Sequence, residues 1–409
     1  MPGVLPPTYD RTVTHGMSPN VGHDDIARFN LLTNLNVHLG QSIFPGTKLA
    51  FENRVEPEFK RANGRAFDDQ REMRAAMRAD PLYQMWAALR RTTMEMRQQS
   101  GRQIVFRQRE QLSAKAQSFN DGANTLQLDP SVEIPDYLSS VDNHWMPGSY
   151  YTETAPGDVA AGACYEIGLF VTTAGSMSAR GDGGGRTLVS FLREQHPEFQ
   201  PRRILDLGGG MGVNSVPLAQ AYPDAEVIVA DVAAPSLRFG HARARALGIG
   251  NIRFVQMGID DLRFEPESFD WIQSTMVWHE TSAATLIDGM KQIYGLLKPG
   301  GLTLHIEQPN FTDKTTLWEK FTRDWDSWYN NEPFWAKLHT MDVFQVMADA
   351  GFARDKMFDE GVEADIEQGL YQSWASTLSR HKPELKRAGA AQNDGARKGE
   401  RWYLFGAWK

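Results

Sequence analysis

The sequence predicts an α/β fold in which a doubly wound, mostly parallel sheet fills the second half of the chain and a largely α-helical region precedes it. Three observations carry this. From residue 203 onward, short apolar runs alternate with helical patterns, as parallel strands joined by right-handed crossovers require. The first apolar run, residues 204–207, passes directly into Gly208-Gly209-Gly210-Met211-Gly212, a loop that lets a ligand approach the backbone before a helix begins. Before residue 150, apolar residues recur instead at helical spacing.

Taken in order, residues 1–20 are rich in Pro, Gly and Thr and read as a loosely packed lead-in. Ile26, Phe29, Leu32 and Leu35 mark a helix over 24–39 that Asp24 or Asp25 can cap. A second helix surrounds 67–77, and a third starts after Pro81 with Leu82, Met85, Trp86 and Leu89 as one apolar stripe. Trp145-Met146-Pro147-Gly148 reads as a turn, residues 160–172 as a helix, and Asp182-Gly183-Gly184-Gly185 as a flexible break before a short helix carrying Leu188, Phe191 and Leu192. Strands are expected at 204–207, 227–230, 252–256, 269–274, 302–306 and 402–408, with helices over 214–222, 235–247, 283–297 and 341–350. Between the fifth strand and the last of these helices lies an insertion dense in aromatics, among them Trp325 and Trp328.

A chain of 409 residues exceeds the roughly 100–200 of a single domain. The expected division is a helical accessory or dimerisation region at 1–150, a connector that covers the cofactor at 151–184, and a ligand-binding domain at 185–409 with the aromatic insertion at 309–340. The net charge of −8 argues against a general nucleic-acid binder. Residues 60–115 are locally basic, with 13 Lys/Arg against 6 Asp/Glu, and read as a solvated helix face. No apolar run reaches membrane-spanning length and the N-terminus lacks a signal-peptide core, so the expectation is a cytoplasmic protein with no membrane partner, assembled as a homodimer. The lone Cys164 leaves no intrachain disulfide and no multi-cysteine metal site.

A tight turn needs no carboxylate inside the preceding strand, yet Asp206 stands two residues before the first glycine. Together with the alternating units, Asp206-Leu207-Gly208-Gly209-Gly210-Met211-Gly212 closely resembles the class I S-adenosylmethionine-dependent methyltransferases over residues 185–409. The resemblance implies a Rossmann-like sheet of seven strands, with S-adenosyl-L-methionine as cofactor. Asp206, Gly208, Gly210 and Gly212 match the family's D-x-G-x-G-x-G loop, and Asp231 matches the acid that takes both ribose hydroxyls, a task suited to a carboxylate because charge-assisted bonds are strong. The family's usual Gly-Asp pair after the third strand is missing. The position of its Asp falls on Gly258, leaving Met257, Ile259 and Asp260 as adenine contacts, and Ser274 ends the fourth strand on the cofactor side.

The nearest rival is an NAD(P)-dependent oxidoreductase, for which Gly210, Gly212 and Ser215 give a loose G-x-G-x-x-S. A pyrophosphate would be opposed by Asp206, whereas a sulfonium with an ammonium tolerates it. A non-catalytic binding protein on the same fold is the third possibility. Methyl transfer is an in-line displacement needing mostly alignment and exclusion of water, and a base only for an acceptor that must lose a proton. His279, assisted by Glu280, is the expected base, in the segment that in this family faces the methyl group. The pair is not a zinc motif, because Ala283 stands where the second histidine of H-E-x-x-H belongs. His305 and Glu307 flank the end of the fifth strand as further candidates, and by loose analogy with the family Tyr150 and Tyr151 would close over the cofactor from the N-terminal side. Tyr151, His305, Trp325 and Trp328 are the expected contacts to a small-molecule acceptor, since open α/β sheets bind ligands beyond the carboxyl ends of their strands.

Overall fold

The computed structural model describes residues 5–365, 385–386, 396–397 and 401–409. Its main sheet has eight strands: β1 (Leu126–Gln127), β2 (Arg203–Leu207), β3 (Glu226–Asp231), β4 (Ile252–Gln256), β5 (Phe269–Thr275), β6 (Leu297–Glu307), β7 (Met357–Glu363) and β8 (Arg401–Trp408). Their order is β1-β4-β3-β2-β5-β6-β8-β7. Neighbours from β1 to β6 pair in parallel, and β8 is antiparallel to both β6 and β7. The strand order reverses between β2 and β5, the topological position at which such sheets bind ligands.

The eighth strand corrects the expected seven. Leu126 and Gln127 pair with Phe254 and Val255, and two residues are too short a run to show alternation in the sequence. The strand β7 was also not expected. Its residues are all partly exposed or exposed, so it lacks the apolar run that marked the inner strands.

Alternation along the inner strands supplies two cores, one on each face of the sheet. Leu205, Leu207, Ile228 and Ala230 pack against the helices Ala283–Leu296 and Val343–Ala350. Ile204, Val227 and Val229 pack against Gly183–Gln195, Ser215–Ala221 and Ala234–Ala246. Full burial of an aliphatic side chain contributes about 1.5–3 kcal/mol, so these faces anchor the loops at the strand ends.

The run Gly183-Gly184-Gly185 is not a break. It opens the helix Gly183–Gln195, and all three glycines are buried. A Cβ on Gly185 would lie 2.1 Å from the Asn214 carbonyl oxygen, so the glycines let this helix press against the backbone that follows the glycine loop.

The front region is helical. The helix His23–His38 continues through two π-helical turns, Leu39–Ile43 and Phe51–Val55, to the end of Glu56–Asn63. The helix Gln70–Met77 is capped by Asp69, and Pro81–Phe106 by Asp80. The apolar stripe assigned to the latter is displaced: Met85 and Leu89 are exposed, whereas Tyr83, Trp86, Ala87 and Met94 are buried. They pack with Phe321 and Trp325 of the aromatic insertion. The helix Ala160–Thr173 is apolar nearly all round and packs between the front helices and Met211, Val213 and Phe239 of the sheet domain.

Candidate functional site

A pocket opens at the carboxyl ends of β2 and β3. Gly208, Gly209 and Gly210 line it together with Asp206, Asp231, Met257 and Ile259, and the elements around it add Tyr137, Tyr150, Tyr165, Met276 and Glu280. The loop needs glycine where the chain turns back beneath the pocket. Gly208 has φ +59°, and a Cβ there would stand 2.7 Å from Val277 Cγ1, so a side chain meets both backbone strain and a clash.

Asp231 is held by backbone amides. Its Oδ2 accepts Gly210 N–H at 2.9 Å and its Oδ1 accepts Ala233 N–H at 2.8 Å. The carboxylate is thereby fixed at the rim of the glycine loop with lone pairs to spare. Burial raises its pKa, partly offset by the amides of Ala233 and Gly210. Asp206 lies deeper, 2% exposed, with Oδ2 accepting the Ser215 hydroxyl. Burial pushes its carboxyl up to about 7, against the pull of the Ser215 hydrogen bond.

Among the described residues lining the pocket there is no Lys, Arg or His, while Asp206, Asp231 and Glu280 are all present. A pyrophosphate would therefore meet carboxylates and no cation. A ligand carrying a sulfonium and an ammonium, with a diol for Asp231, fits this donor set.

Next to the pocket lies a buried network of carboxylates and imidazoles assembled from distant parts of the chain. Glu280 Oε1 is 3.0 Å from His144 Nε2 and accepts the Tyr150 hydroxyl at 2.8 Å. His144 Nδ1 is 3.0 Å from Glu332 Oε1 in the aromatic insertion. His279 Nδ1 is 2.6 Å from Glu307 Oε1 at the end of β6, and its Nε2 is 3.3 Å from Glu332 Oε2. Glu307 Oε2 accepts the amides of Trp278 and His279 at 2.8 and 3.3 Å, which locks the carboxylate against the turn that carries the imidazole.

Burial alone would disfavour the charged form of each imidazole, but the adjacent carboxylates outweigh it. His144 is raised to about 10 by Glu332 and Glu280. His279 is raised to about 9 by Glu307, then Glu332 and Glu280. Burial would likewise push the Glu280 carboxyl up, yet the hydrogen bond and charge of His144 hold it below its usual range.

The expected site residues divide accordingly. Asp206, Gly208, Gly210, Asp231, Met257, Ile259 and Glu280 line the pocket. Gly212, Gly258, Asp260 and Ser274 are not among its lining residues. Gly212 meets the Phe254 ring, where a Cβ would sit 3.0 Å away; Asp260 is exposed; and Ser274 Oγ bonds His305 Nδ1 at 2.8 Å inside the sheet.

His279 is 2% exposed and stands behind the pocket against Trp335, with ring centroids 4.3 Å apart. His305 is fully buried, hydrogen-bonded to Ser274 and Thr303, and pushed down to about 3 by burial. It is a neutral part of the sheet interior. Trp325 is buried in the front-region core against Trp86, and Trp328 is 56% exposed with Arg74 over its ring. Tyr151 is half-buried and off the pocket, and its neighbour Tyr150 takes that place.

His144, Glu332, Tyr137 and Tyr165 were not singled out from sequence. His144 is 136 residues from Glu280, so no local spacing could signal it. Glu332 carries no local signal either, being one of five acids in the aromatic insertion with Asp313, Glu319, Asp324 and Asp326.

The sheet order, the glycine loop and the acid ending β3 define a class I S-adenosylmethionine-dependent methyltransferase domain. Residues 204–301 match the family model described as "Methyltransferase domain". The demethylmenaquinone methyltransferase of Thermus thermophilus is 33% identical over 112 residues, covering 27% of this chain and 50% of that protein. The ubiquinone/menaquinone biosynthesis C-methyltransferase of Pasteurella multocida is 31% identical over 26% of this chain and 39% of its own length. The acetylserotonin O-methyltransferase of Mus musculus is 29% identical over 30% of this chain and 31% of its own length. The chain thus spans about half or less of the length of these relatives.

Proposed function

We propose that this protein transfers a methyl group from S-adenosylmethionine to a small-molecule acceptor. The observation that carries this is the pocket itself: a glycine loop, a ribose-ready Asp231 and three carboxylates, with no cation among its described lining residues. Gly208 and Gly210 admit the cofactor's backbone contacts, Asp231 holds the ribose, and Met257 and Ile259 offer apolar contact to adenine. When bound, the cofactor supplies an electrophilic methyl on sulfur.

A small acceptor is supported by the enclosure of the neighbouring network. The front region contributes His144 and Tyr150, the insertion contributes Glu332, and these groups close around Glu280. Small molecules in the names of the demethylmenaquinone and acetylserotonin relatives point the same way. For an acceptor that must lose a proton, the group at the pocket wall is Glu280, and His279 and His144 behind it hold the compensating charge. This reverses the roles expected from sequence, where His279 was the base and Glu280 its assistant.

The test is binding followed by transfer. Calorimetry with S-adenosylmethionine, its demethylated product, NAD and NADP should show binding of the first two alone. Methyl-labelled cofactor should then pass label to a component of a small-molecule extract. Saturable binding of a nicotinamide cofactor, or of neither sulfur compound, would overturn the assignment.

A further inference from the structure

The carboxylate of Glu280 is half used. Its Oε1 takes both His144 Nε2 and the Tyr150 hydroxyl, whereas its Oε2 makes no hydrogen bond among the described residues. The side chain is 17% exposed and lines the pocket that holds the glycine loop. The other two pocket acids are already engaged, Asp231 with one amide on each oxygen, from Gly210 and Ala233, and its remaining lone pairs toward the ribose, Asp206 with Ser215. Beside Glu280 stand Tyr150 and Tyr165, with ring centroids 5.5 Å apart and planes at 77°, and aromatic faces attract cations.

We propose that Glu280, flanked by Tyr150 and Tyr165, is the residue that reads the positive charge on the cofactor's sulfur, so that this pocket holds S-adenosylmethionine in preference to its demethylated product. The inference rests on the methyltransferase reading. The two molecules differ at sulfur by one methyl and one positive charge, and an anion free on the pocket side distinguishes them electrostatically. His144 keeps the carboxylate ionised from behind, while Tyr150 fixes its orientation. A site of this kind releases its product readily, because the favourable charge interaction disappears when the methyl leaves.

Calorimetry with the full chain tests this through three probes: S-adenosylmethionine, S-adenosylhomocysteine and sinefungin, whose ammonium stands in place of the methylated sulfonium. The wild-type protein should bind both cationic ligands at least about tenfold more tightly than S-adenosylhomocysteine, the scale of one desolvated charge interaction. In Glu280→Gln, which keeps the shape and removes the charge, the two cations should weaken to within about twofold of S-adenosylhomocysteine. Unchanged binding of S-adenosylhomocysteine reports that this variant is folded. The proposal is overturned if the wild-type protein binds S-adenosylhomocysteine as tightly as S-adenosylmethionine, a result that needs no variant and leaves the cofactor assignment standing. An equal change for all three probes in Glu280→Gln overturns it too. Binding of none of the three removes the cofactor assignment itself, and the proposal with it.

Discussion

The imidazole Nε2 of His144 lies 3.0 Å from Oε1 of Glu280, across 136 residues of sequence. The other nitrogen of the same ring is 3.0 Å from Glu332. One side chain from the front region therefore ties the pocket wall to the aromatic insertion. His144 and Trp145 both adopt left-handed backbone, with φ of 54° and 59°, a conformation that costs on the order of 1–3 kcal/mol per non-glycine residue and persists because the surrounding contacts hold it.

Removing one member of this network should be expensive, because the remaining charges stay buried. Glu332 is 1% exposed, and Glu332→Ala leaves both imidazoles facing one another's charge without their shared carboxylate. Urea unfolding should register a loss of roughly 3–5 kcal/mol. A loss below about 1 kcal/mol would show that the pairing contributes no more than a surface ion pair.

The raised pKa values of the two imidazoles fix the sign of a pH dependence. A histidine with a folded-state pKa above its unfolded value stabilises fully below the unfolded value of about 6.5 and loses that contribution as pH rises through the folded one. For His279 and His144 the loss should run from about 6.5 toward the folded values of about 9 and about 10. Burial opposes the charged imidazole of His144, and Glu332 and Glu280 are the groups that raise it. Unfolding free energy measured in steps across this range should fall with pH, and the fall should flatten in His144→Gln. A wild-type curve that is level or rising there would contradict the network as drawn.

Asp231→Ala should weaken S-adenosylmethionine and S-adenosylhomocysteine alike, since both carry the ribose. Hydrogen bonds to a charged group contribute about 1.5–3 kcal/mol each, so titration calorimetry should show a loss of at least about tenfold for both. A loss confined to one of the two would mean that Asp231 does not hold the ribose.

Two glycines should respond in opposite directions to alanine. At Gly185 a Cβ lands 2.1 Å from the Asn214 carbonyl, which cannot yield cheaply, so Gly185→Ala should lower the melting temperature sharply. Gly295, inside the helix Ala283–Leu296, has nothing within 4 Å of its would-be Cβ. Gly295→Ala should be neutral or stabilise by up to about 1 kcal/mol. Equal melting shifts in the two variants would refute the packing account of the glycine run.

Spacing along the chain was enough to reveal the sheet domain and its cofactor loop. Buried strands such as β2 and β4 announce themselves as apolar runs, and Asp206, the glycines and Asp231 are close enough along the chain for their spacing to carry meaning. The spacing of apolar residues likewise marked the front as helical, although not which face of Pro81–Phe106 is buried, because the aromatic insertion that covers it lies more than 200 residues away. It took the folded chain to show that the glycine run at 183–185 is a packing surface, that Trp325 is core, that Trp328 is largely exposed, and that His305 is a neutral member of the sheet. The fold alone brought His144 and Glu332 to Glu280. Local patterns record the periodicity of a strand or helix against a core, whereas an electrostatic network depends on which distant side chains the folded chain places within a few ångströms, and no spacing along the sequence encodes that.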